Sequence, residues 1–452
     1  MQETILAQIV ADKYKWVAEH KQLYPLESFY HQIHPSTRSF YEALSCSHTA
    51  FILECKKASP SQGLIRNEFD PIAIAGIYRQ YADVMSVLTD EKYFQGNFNF
   101  LYQVSHSVSH PILCKDFIID PWQIYLARLY QADAILLMLS ILDDNTYCEL
   151  AAVAKSLKMG VLTEVISDEE RERAITLQAK VVGINNRDLR NLSIDLNRTR
   201  TLGLGLPKGV KVISESGIHH YSQIRELSQY ATGFLIGSSL MAEPDLTIAV
   251  RRVLLGENKV CGLTRAVDAH AAMEAGAIYG GLIFIPGSPR YVNAETARIV
   301  VTGASLRYVG VFLDAEVSHV ATTAEALSLA AVQLHGHEDQ TYINALQHAL
   351  PSNCQIWKAV DVRYNLPLRN LAHVVRYVLD NGGGSGTTFD WTLLHGTRLD
   401  NVILAGGLSP DNCRAAARLG CAGLDFNSGV ESAPGLKDHH KLTKAFQMLR
   451  AY

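Results

Sequence analysis

The sequence predicts an α/β protein built as two (βα)8 barrels, of the TIM type, in tandem. Three observations carry that expectation. Short β-branched or apolar runs alternate with helical-period stretches at intervals of roughly 20–30 residues, the mark of repeated βα units around a parallel sheet. Eight such runs fall before residue 240 and eight more after residue 258, and eight is the number that closes a barrel. A fingerprint in the last two runs of the first series also recurs in the second at an offset of 190 residues.

The first 48 residues precede the first run and carry an amphipathic pattern at Ile5, Ile9, Trp16 and Val17. They are expected to add a helical layer that covers one end of the first barrel and seals apolar surface. The first series comprises 50–55 (AFILEC), 84–88 (VMSVL), 111–115 (PILCK), 133–139 (DAILLML), 161–165 (VLTEV), 180–184 (KVVGI), 210–214 (VKVIS) and 233–237 (GFLIG). Between these runs, PIAIAGIYRQYA starts at Pro71, DPWQIYLARLY opens with Asp120 as cap and Pro121 at the first helical position, and SDEERERAITL carries acids in its first turn. Continuous apolar strands with amphipathic helices fit a sheet buried on both faces.

A helical stretch ends near Leu255, and Gly256-Glu257-Asn258 punctuates the chain. The second series follows at 259–261 (KVC), 278–283 (IYGGLI), 307–312 (RYVGVF), 329–334 (LAAVQL), 355–359 (QIWKA), 374–379 (VVRYVL), 401–405 (NVILA) and 421–426 (CAGLDF). The linker is short, and two domains are expected, 1–255 and 256–452. The repeated fingerprint superposes VISESGI (212–218) on VILAGGL (402–408) and GFLIGSSL (233–240) on GLDFNSGV (423–430).

Composition sets the class. The chain has 48% hydrophobic and 19% charged residues, and its 41 Lys+Arg against 45 Asp+Glu give a net charge of −4, so it can bury ordinary cores and carries no basic excess for nucleic acid or acidic membranes. The longest apolar stretch, Ala134 to Leu142 interrupted only by Ser140, is far short of a bilayer span. The first residues lack a basic n-region and a continuous apolar h-region, so a soluble, cytoplasmic protein is expected. The eight cysteines show no CxxC or Cys/His pairing at zinc spacing; free thiols and no structural metal are expected.

In βα barrels the loops after the seventh and eighth strands often form an anion site, because free backbone N–H groups and a helix dipole converge there. Ser216-Gly217 with Gly237-Ser238, and Gly406-Gly407 with Asn427-Ser428, stand at those loops in each half. Any one such pair can equally be no more than a tight strand-to-helix turn. Paired occurrence at fixed spacing favours a phosphorylated ligand in each barrel.

Ionisable residues of the first half collect at strand ends: Glu54 and Lys56 at the first, Lys115 at the third, Glu164 at the fifth, Asn185 and Arg187 at the sixth, Glu215 at the seventh. Desolvation and a second cation are expected to lower the pKa of Lys115, in PILCKDF and near Lys56, so that it can donate a proton at neutral pH. Most lysines at strand ends are simply surface charges. Yet three carboxylates, two lysines and an arginine at one mouth exceed what a packed core tolerates without a ligand.

Through ECKKASPS (54–61), PILCKDFIID (111–120), GVLTEV (160–165), VVGINNRDL (181–189), VISESGI and FLIGSSL, residues 1 to about 255 resemble indole-3-glycerol-phosphate synthase. The resemblance implies ring closure, decarboxylation and dehydration of 1-(2-carboxyphenylamino)-1-deoxyribulose 5-phosphate. By position, Lys115 would protonate the ketone oxygen for ring closure and Glu164 would transfer a proton at the dehydration step. Glu54 and Lys56 would belong to the same catalytic set, and Glu54, with Asn185 and Glu215, would orient the substrate. Arg187 would meet the anthranilate carboxylate, and Lys56 with the Ser216/Gly217 and Gly237/Ser238 loops would hold the phosphate. Gln62 stands where many members carry a basic residue.

The second half is less charged at its rim. Cys261 ends its first run in KVCGLTR, Arg290 lies in PGSPRYV, and Asp380 ends the sixth run in YVLDNGGGSGTTFDW. A thiolate and a carboxylic acid can form an acid–base pair, with Cys261 as base if its pKa is depressed by the phosphate-site field or by Arg265 or Arg290, and Asp380 as acid. A cysteine at a strand end is otherwise a small buried hydrophobe, and His335 in QLHG reads as a satisfied polar residue. Through KVCGLTR, SPRYV, AAVQLHG, VLD with GGSG and FDW, LAGGLSPDN (404–412) and GLDFNSGVE (423–431), residues 258–452 resemble phosphoribosylanthranilate isomerase. An Amadori rearrangement of N-(5-phosphoribosyl)anthranilate is implied. Asp380 would protonate the ribose ring oxygen and Cys261 would remove the C2′ proton. Arg290 would bind the anthranilate carboxylate, and Gly406, Gly407, Asn427 and Ser428 the phosphate. Gly287 stands where some members have Lys.

The order synthase then isomerase resembles the fused enzymes of tryptophan biosynthesis, in which the second half supplies the substrate of the first. No metal or cofactor is expected, since side chains can run both reactions. The expected partners are small phosphorylated anthranilate compounds, with no nucleic acid, no membrane and a monomeric chain. A sensor without turnover would lack the acid–base residues, whereas Lys115, Glu164, Cys261 and Asp380 are present. An aldolase or a histidine-pathway isomerase would need a Schiff-base lysine on the sixth strand or paired aspartates at the first and fifth, and neither is read here.

Overall fold

The computed structural model describes residues 4–363, 369–382 and 386–451; the Gly383-Gly384-Ser385 part of the glycine-rich motif lies outside them. Each expected run carries a strand. In the first series these are β1 (Ala50–Cys55), β2 (Val84–Leu88), β3 (Ile112–Lys115), β4 (Ala134–Met138), β5 (Gly160–Val165), β6 (Val181–Asn185), β7 (Lys211–Glu215) and β8 (Gly233–Ile236). They pair in chain order and β1 closes on β8, with Ala50 opposite Gly233 and Leu53 opposite Ile236, so all eight form one closed parallel barrel. In the second series, β9 (Lys259–Val260), β10 (Tyr279–Ile283), β11 (Arg307–Phe312), β12 (Ala331–Leu334), β13 (Gln355–Asp361), β14 (Val374–Asp380), β15 (Val402–Leu404) and β16 (Gly423–Phe426) close a second barrel through β9 and β16. β13 runs two residues past the expected run, but Asp361 pairs with Arg363 and has no aspartate opposite on β9.

The elements form where local chemistry places them. Asp70 accepts from the backbone N–H groups of Ile72 and Ala73 to start Pro71–Tyr78, and Asp120 with Gln123 makes a capping box that starts Pro121–Leu129, each with proline in the first turn. Ile52, Leu113, Leu136, Leu162, Ile213 and Leu235 fill one continuous core of the first barrel. Burying a side chain of that size contributes about 1.5–3 kcal/mol, so the barrel interior is a packed core rather than a pore.

The N-terminal layer covers both ends of the first barrel, not one. Its first helix (Ile5–Leu23) lies over the C-terminal strand ends, where Lys13 pairs with Asp90 after β2 and Asp116 after β3, each at 2.7 Å. The chain then runs along the helix Pro121–Leu129: Trp122 Nε1 donates to the Tyr24 carbonyl at 2.9 Å and Arg128 Nε to that of His34 at 2.8 Å. At the opposite end Ser36 Oγ donates to Asp133 at 2.7 Å and the Tyr41 hydroxyl accepts from the Val161 N–H at 3.0 Å. Leu6, Ile9, Phe40 and Leu44 all join the core. Periodicity identifies such an apolar stripe but not which end of a barrel it meets.

Two compact units divide the chain, Met1–His219 with Gln223–Val250, and His220–Ser222 with Arg251–Tyr452. No helix among the described residues is long and apolar enough to cross a membrane.

Candidate active sites

The C-terminal rim of the first barrel opens into a pocket lined by Glu54, Lys56, Lys115, Glu164, Asn185, Arg187, Glu215, Ser216, Gly217, Gly237 and Ser238. The strands deliver these residues in turn, since every second side chain of a barrel strand points inward. Lys115 Nζ stands 3.0 Å from Glu215 Oε2 and 3.8 Å from Glu164 Oε2, and Lys56 Nζ 2.6 Å from Glu54 Oε2. All three glutamates are buried. One oxygen each of Glu164 and Glu215 has no hydrogen-bond partner among the described residues, which leaves acceptors for a ligand's hydroxyl or amine.

The charges balance differently from the sequence expectation. Burial opposes the Lys115 ammonium, but Glu215, Glu164 and Glu54 surround it and hold its pKa above the ordinary value, not below. The expected second cation is taken up by Glu54: burial works against that carboxylate, but Lys56 and Lys115 bring it below its usual value. Burial and the neighbouring Glu215 lift Glu164 to about 7, against Lys115 and a hydrogen bond from Asn185. Glu215 is also raised by burial. The site therefore holds a firmly charged lysine beside a carboxyl that gains and loses its proton near neutrality.

Arg187 is half-buried. Its backbone N–H donates to Asn185 Oδ1 at 3.0 Å and its Nη1 to the Leu192 carbonyl at 3.1 Å, and burial lowers its pKa. Asn186 was missed by sequence reasoning. Fully buried, it donates from Nδ2 to the carbonyls of Glu215 at 3.0 Å and Ser216 at 3.1 Å, clasping the turn that follows β7. The signal was the second asparagine of GINNRDL, adjacent to one already assigned.

The pocket of the second barrel is lined by Cys261, Arg290, Gln333, His335, Asp380, Gly406, Gly407, Asp425, Asn427 and Ser428. Cys261 is buried. Burial and Asp425 raise its pKa while Lys259 and Lys437 oppose them, so the expected depression is not what this pocket produces. Arg265, one of the expected cations, is held by Asp268 at 2.8–2.9 Å. Arg290 does face Cys261, but its Nε and Nη2 grip Glu431 at 2.9 and 2.7 Å; its Nη1 has no hydrogen-bond partner among the described residues. Asp380 Oδ1 accepts from the Asn381 N–H at 2.8 Å. Burial, with Lys259 and Lys358, lowers His335 to about 3, and the neutral ring meets Gln333 Nε2 at 2.5 Å. Sequence reasoning missed Lys259, Asp425, Glu431 and Lys437. Lys259 and Asp425 stand inside strand runs, and Glu431 and Lys437 lie past the eighth run, in a two-stranded pair that follows the barrel.

The two halves repeat each other at the anion loops. Ser216 and Gly217 have φ of +65° and +77°, Gly406 and Gly407 of +89° and +59°: two successive left-handed residues after β7 and again after β15. Gly237 and Asn427, at φ −137° and −135°, each open a short helical turn, Ser238–Met241 and Ser428–Val430. Such turns aim consecutive N–H groups at one point and suit an anion. Gly237 has a second reason: a Cβ there would lie 2.4 Å from Glu54 Oε2. Among the described residues, Cys46, His48 and Asp83 bring three metal-ligand types within 4.8 Å of one another, but they lie before β1 and β2, at the opposite end from the pocket.

Comparison with known proteins follows this division. The profile of indole-3-glycerol phosphate synthase matches residues 6–253, and that of N-(5'phosphoribosyl)anthranilate (PRA) isomerase residues 258–448. The chain is 67% identical over 451 residues to the tryptophan biosynthesis protein TrpCF of Salmonella typhi, covering 100% of both. It is 66% identical to that of Yersinia pestis, covering 100% of this chain and 95% of the relative. A crystal structure of phosphoribosyl anthranilate isomerase from Thermus Thermophilus is similar at 33% identity and a TM-score of 0.39, over 43% of this chain and 98% of that one.

Proposed function

The chain belongs to the TrpCF family of tryptophan-biosynthesis proteins, and from that premise we propose how its two pockets divide the work. It is a bifunctional enzyme that runs two consecutive steps. The second barrel isomerises N-(5-phosphoribosyl)anthranilate to 1-(2-carboxyphenylamino)-1-deoxyribulose 5-phosphate, and the first closes, decarboxylates and dehydrates that product to indole-3-glycerol phosphate.

In the first barrel, Lys115 protonates the ketone oxygen as the ring closes. Its raised pKa makes it a weaker acid, but the same carboxylates keep it charged and aimed. Glu164 carries the proton transfer at dehydration, a role suited by a carboxyl that titrates near 7. Glu54, Asn185 and Glu215 orient the substrate, and Arg187 receives the anthranilate carboxylate. Lys56 and the Ser216/Gly217 and Gly237/Ser238 loops receive the phosphate. In the second barrel, Asp380 protonates the ring oxygen, Cys261 takes the C2′ proton, the free edge of Arg290 meets the carboxylate, and Gly406, Gly407, Asn427 and Ser428 hold the phosphate.

The observation that supports this reading most is the Lys115–Glu215–Glu164 cluster, buried at the rim with two carboxylate oxygens that have no hydrogen-bond partner among the described residues. Such a cluster is more charge than stability alone calls for. We place the domain boundary at 255/256, and read the chain as a cytoplasmic monomer. The test is single turnover of N-(5-phosphoribosyl)anthranilate, following loss of anthranilate fluorescence and formation of the indole. Lys115→Ala should stall at the carboxyphenylamino-deoxyribulose phosphate, and Cys261→Ala should leave the starting compound unconsumed. A Lys115→Ala protein that makes the indole at the wild-type rate overturns the assignment.

A further inference from the structure

Lys259 opens β9 and Cys261 immediately follows its end, and both side chains pack on the same side against Gly281 of β10. Asp425 is the register partner of Lys259 on β16. Lys259 Nζ donates to Asp425 Oδ2 at 2.6 Å, and its side chain lies beside that of Cys261: a Cβ at Gly281 would meet Cys261 Sγ at 2.6 Å and Lys259 Cε at 3.0 Å. Lys259 has no exposure to solvent, and Asp425 Oδ1 is buried with no hydrogen-bond partner among the described residues. A buried ion pair of this kind adds little stability over an apolar pair of the same volume. The placement therefore calls for another reason, and the thiol beside it supplies one.

We propose that Lys259 is a positioning residue for the isomerase reaction: its ammonium, shared between Asp425 and Cys261, makes it possible for the buried thiol to ionise, while Asp425 limits how far it does. This rests on the reading of Cys261 as the base. In that step the thiolate sulfur takes the C2′ proton, and the electron pair of the broken C–H bond moves toward the anthranilate nitrogen of the ring-opened substrate. The other groups that face Cys261 are already engaged. Arg290 is gripped by Glu431, and Lys437 donates to Glu431 at 2.7 Å and to Asn427 Oδ1 at 3.0 Å. Ile283 and Val311, which pack against Cys261 from the neighbouring β10 and β11, are apolar. Burial alone would keep the sulfur protonated, and the cation in direct reach is Lys259.

Opposite substitutions move the thiol in opposite directions, which a merely structural role would not do. The experiment is the pH dependence of iodoacetamide alkylation at Cys261 in the full-length chain. It is read by peptide mass spectrometry because Cys148 is exposed and also reacts. Lys259→Met should move the midpoint upward by about one pH unit or more, a tenfold slower reaction at pH 7, and Lys259→Arg should restore it. Asp425→Asn should move it downward and speed the reaction. The pH profile of isomerase kcat/KM should follow the same shifts. If Lys259→Met does not fold, the sign for Asp425→Asn decides. An unmoved midpoint in the folded variants overturns the role of Lys259, even where Cys261 is required for turnover. Full isomerase activity in Cys261→Ser overturns the reading of the base itself, whichever way alkylation moves.

Discussion

Glu164→Gln should stabilise the first barrel in alkaline solution while removing its activity. Glu164 ionises near 4.5 when free and near 7 in the fold, because it is buried beside Glu215. Between those values the unfolded chain has released a proton that the native state still holds, so stability falls as pH rises through the window. A displacement of about 2.5 units at 1.36 kcal/mol each comes to about 3 kcal/mol, most of it lost between pH 5 and pH 8. Glutamine has no proton to lose and escapes the penalty. At about 2–4 °C per kcal/mol for a domain of this size, the first-barrel transition of the variant should gain roughly 5–10 °C on wild type between pH 5 and pH 8. The assay is calorimetry of both proteins at the two pH values, beside synthase turnover, which should fall by about 10²–10⁴. A variant whose advantage is the same at both pH values would refute the reasoning, since its carboxyl would then not be held protonated by its surroundings.

Cys261→Ser should lower isomerase turnover by about 10²–10⁴ and leave the synthase rate on supplied carboxyphenylamino-deoxyribulose phosphate unchanged, measured in one preparation. Lys13→Ala strands Asp90 and Asp116 as buried carboxylates without their shared cation. It should destabilise the first barrel by about 3–5 kcal/mol in denaturant titration, and a loss under 1 kcal/mol would show that the N-terminal helix is not anchored by this contact. Gly237→Ala would press a methyl group to 2.4 Å from Glu54 Oε2. Synthase kcat/KM should fall at least tenfold with the isomerase unaffected, and an unchanged synthase rate would contradict the tight fit.

The fold was legible because its signals are local. Short continuous apolar runs such as AILLM, bounded by turn signals, fit strands buried on both faces, and Asp120-Pro121 before a helical-period stretch fits a helix start. Even the two-residue β9 was found, because Gly256-Glu257-Asn258 punctuates the chain just before it and a second series of runs follows. What depends on the far side of a contact was not legible. Lys115 is tuned by Glu215, one hundred residues away, so a rule about apolar neighbours gave the wrong direction for its pKa. Arg265 lies nearer to Cys261 in sequence than Asp425 does, yet Asp425 sets the cation beside the thiol and Arg265 turns to Asp268. Glu431 was invisible for the same reason, because nothing in GLDFNSGVE says that its carboxylate reaches Arg290 across 141 positions. The N-terminal layer shows the limit of periodicity: the stripe was found, but the end its first helix covers is set by Lys13, a residue the apolar pattern ignores, and the other end is covered by the segment that carries Ser36 and Tyr41.

The central claim is that each barrel holds one complete site of its own. It is tested most directly by mixing equal amounts of the Lys115→Ala and Cys261→Ala proteins with N-(5-phosphoribosyl)anthranilate and measuring indole-3-glycerol phosphate. Neither variant alone should form it, and the mixture should, because the intact isomerase barrel of one protein releases the intermediate that the intact synthase barrel of the other consumes. A mixture that forms no indole, although each protein keeps its remaining single activity, would contradict the account.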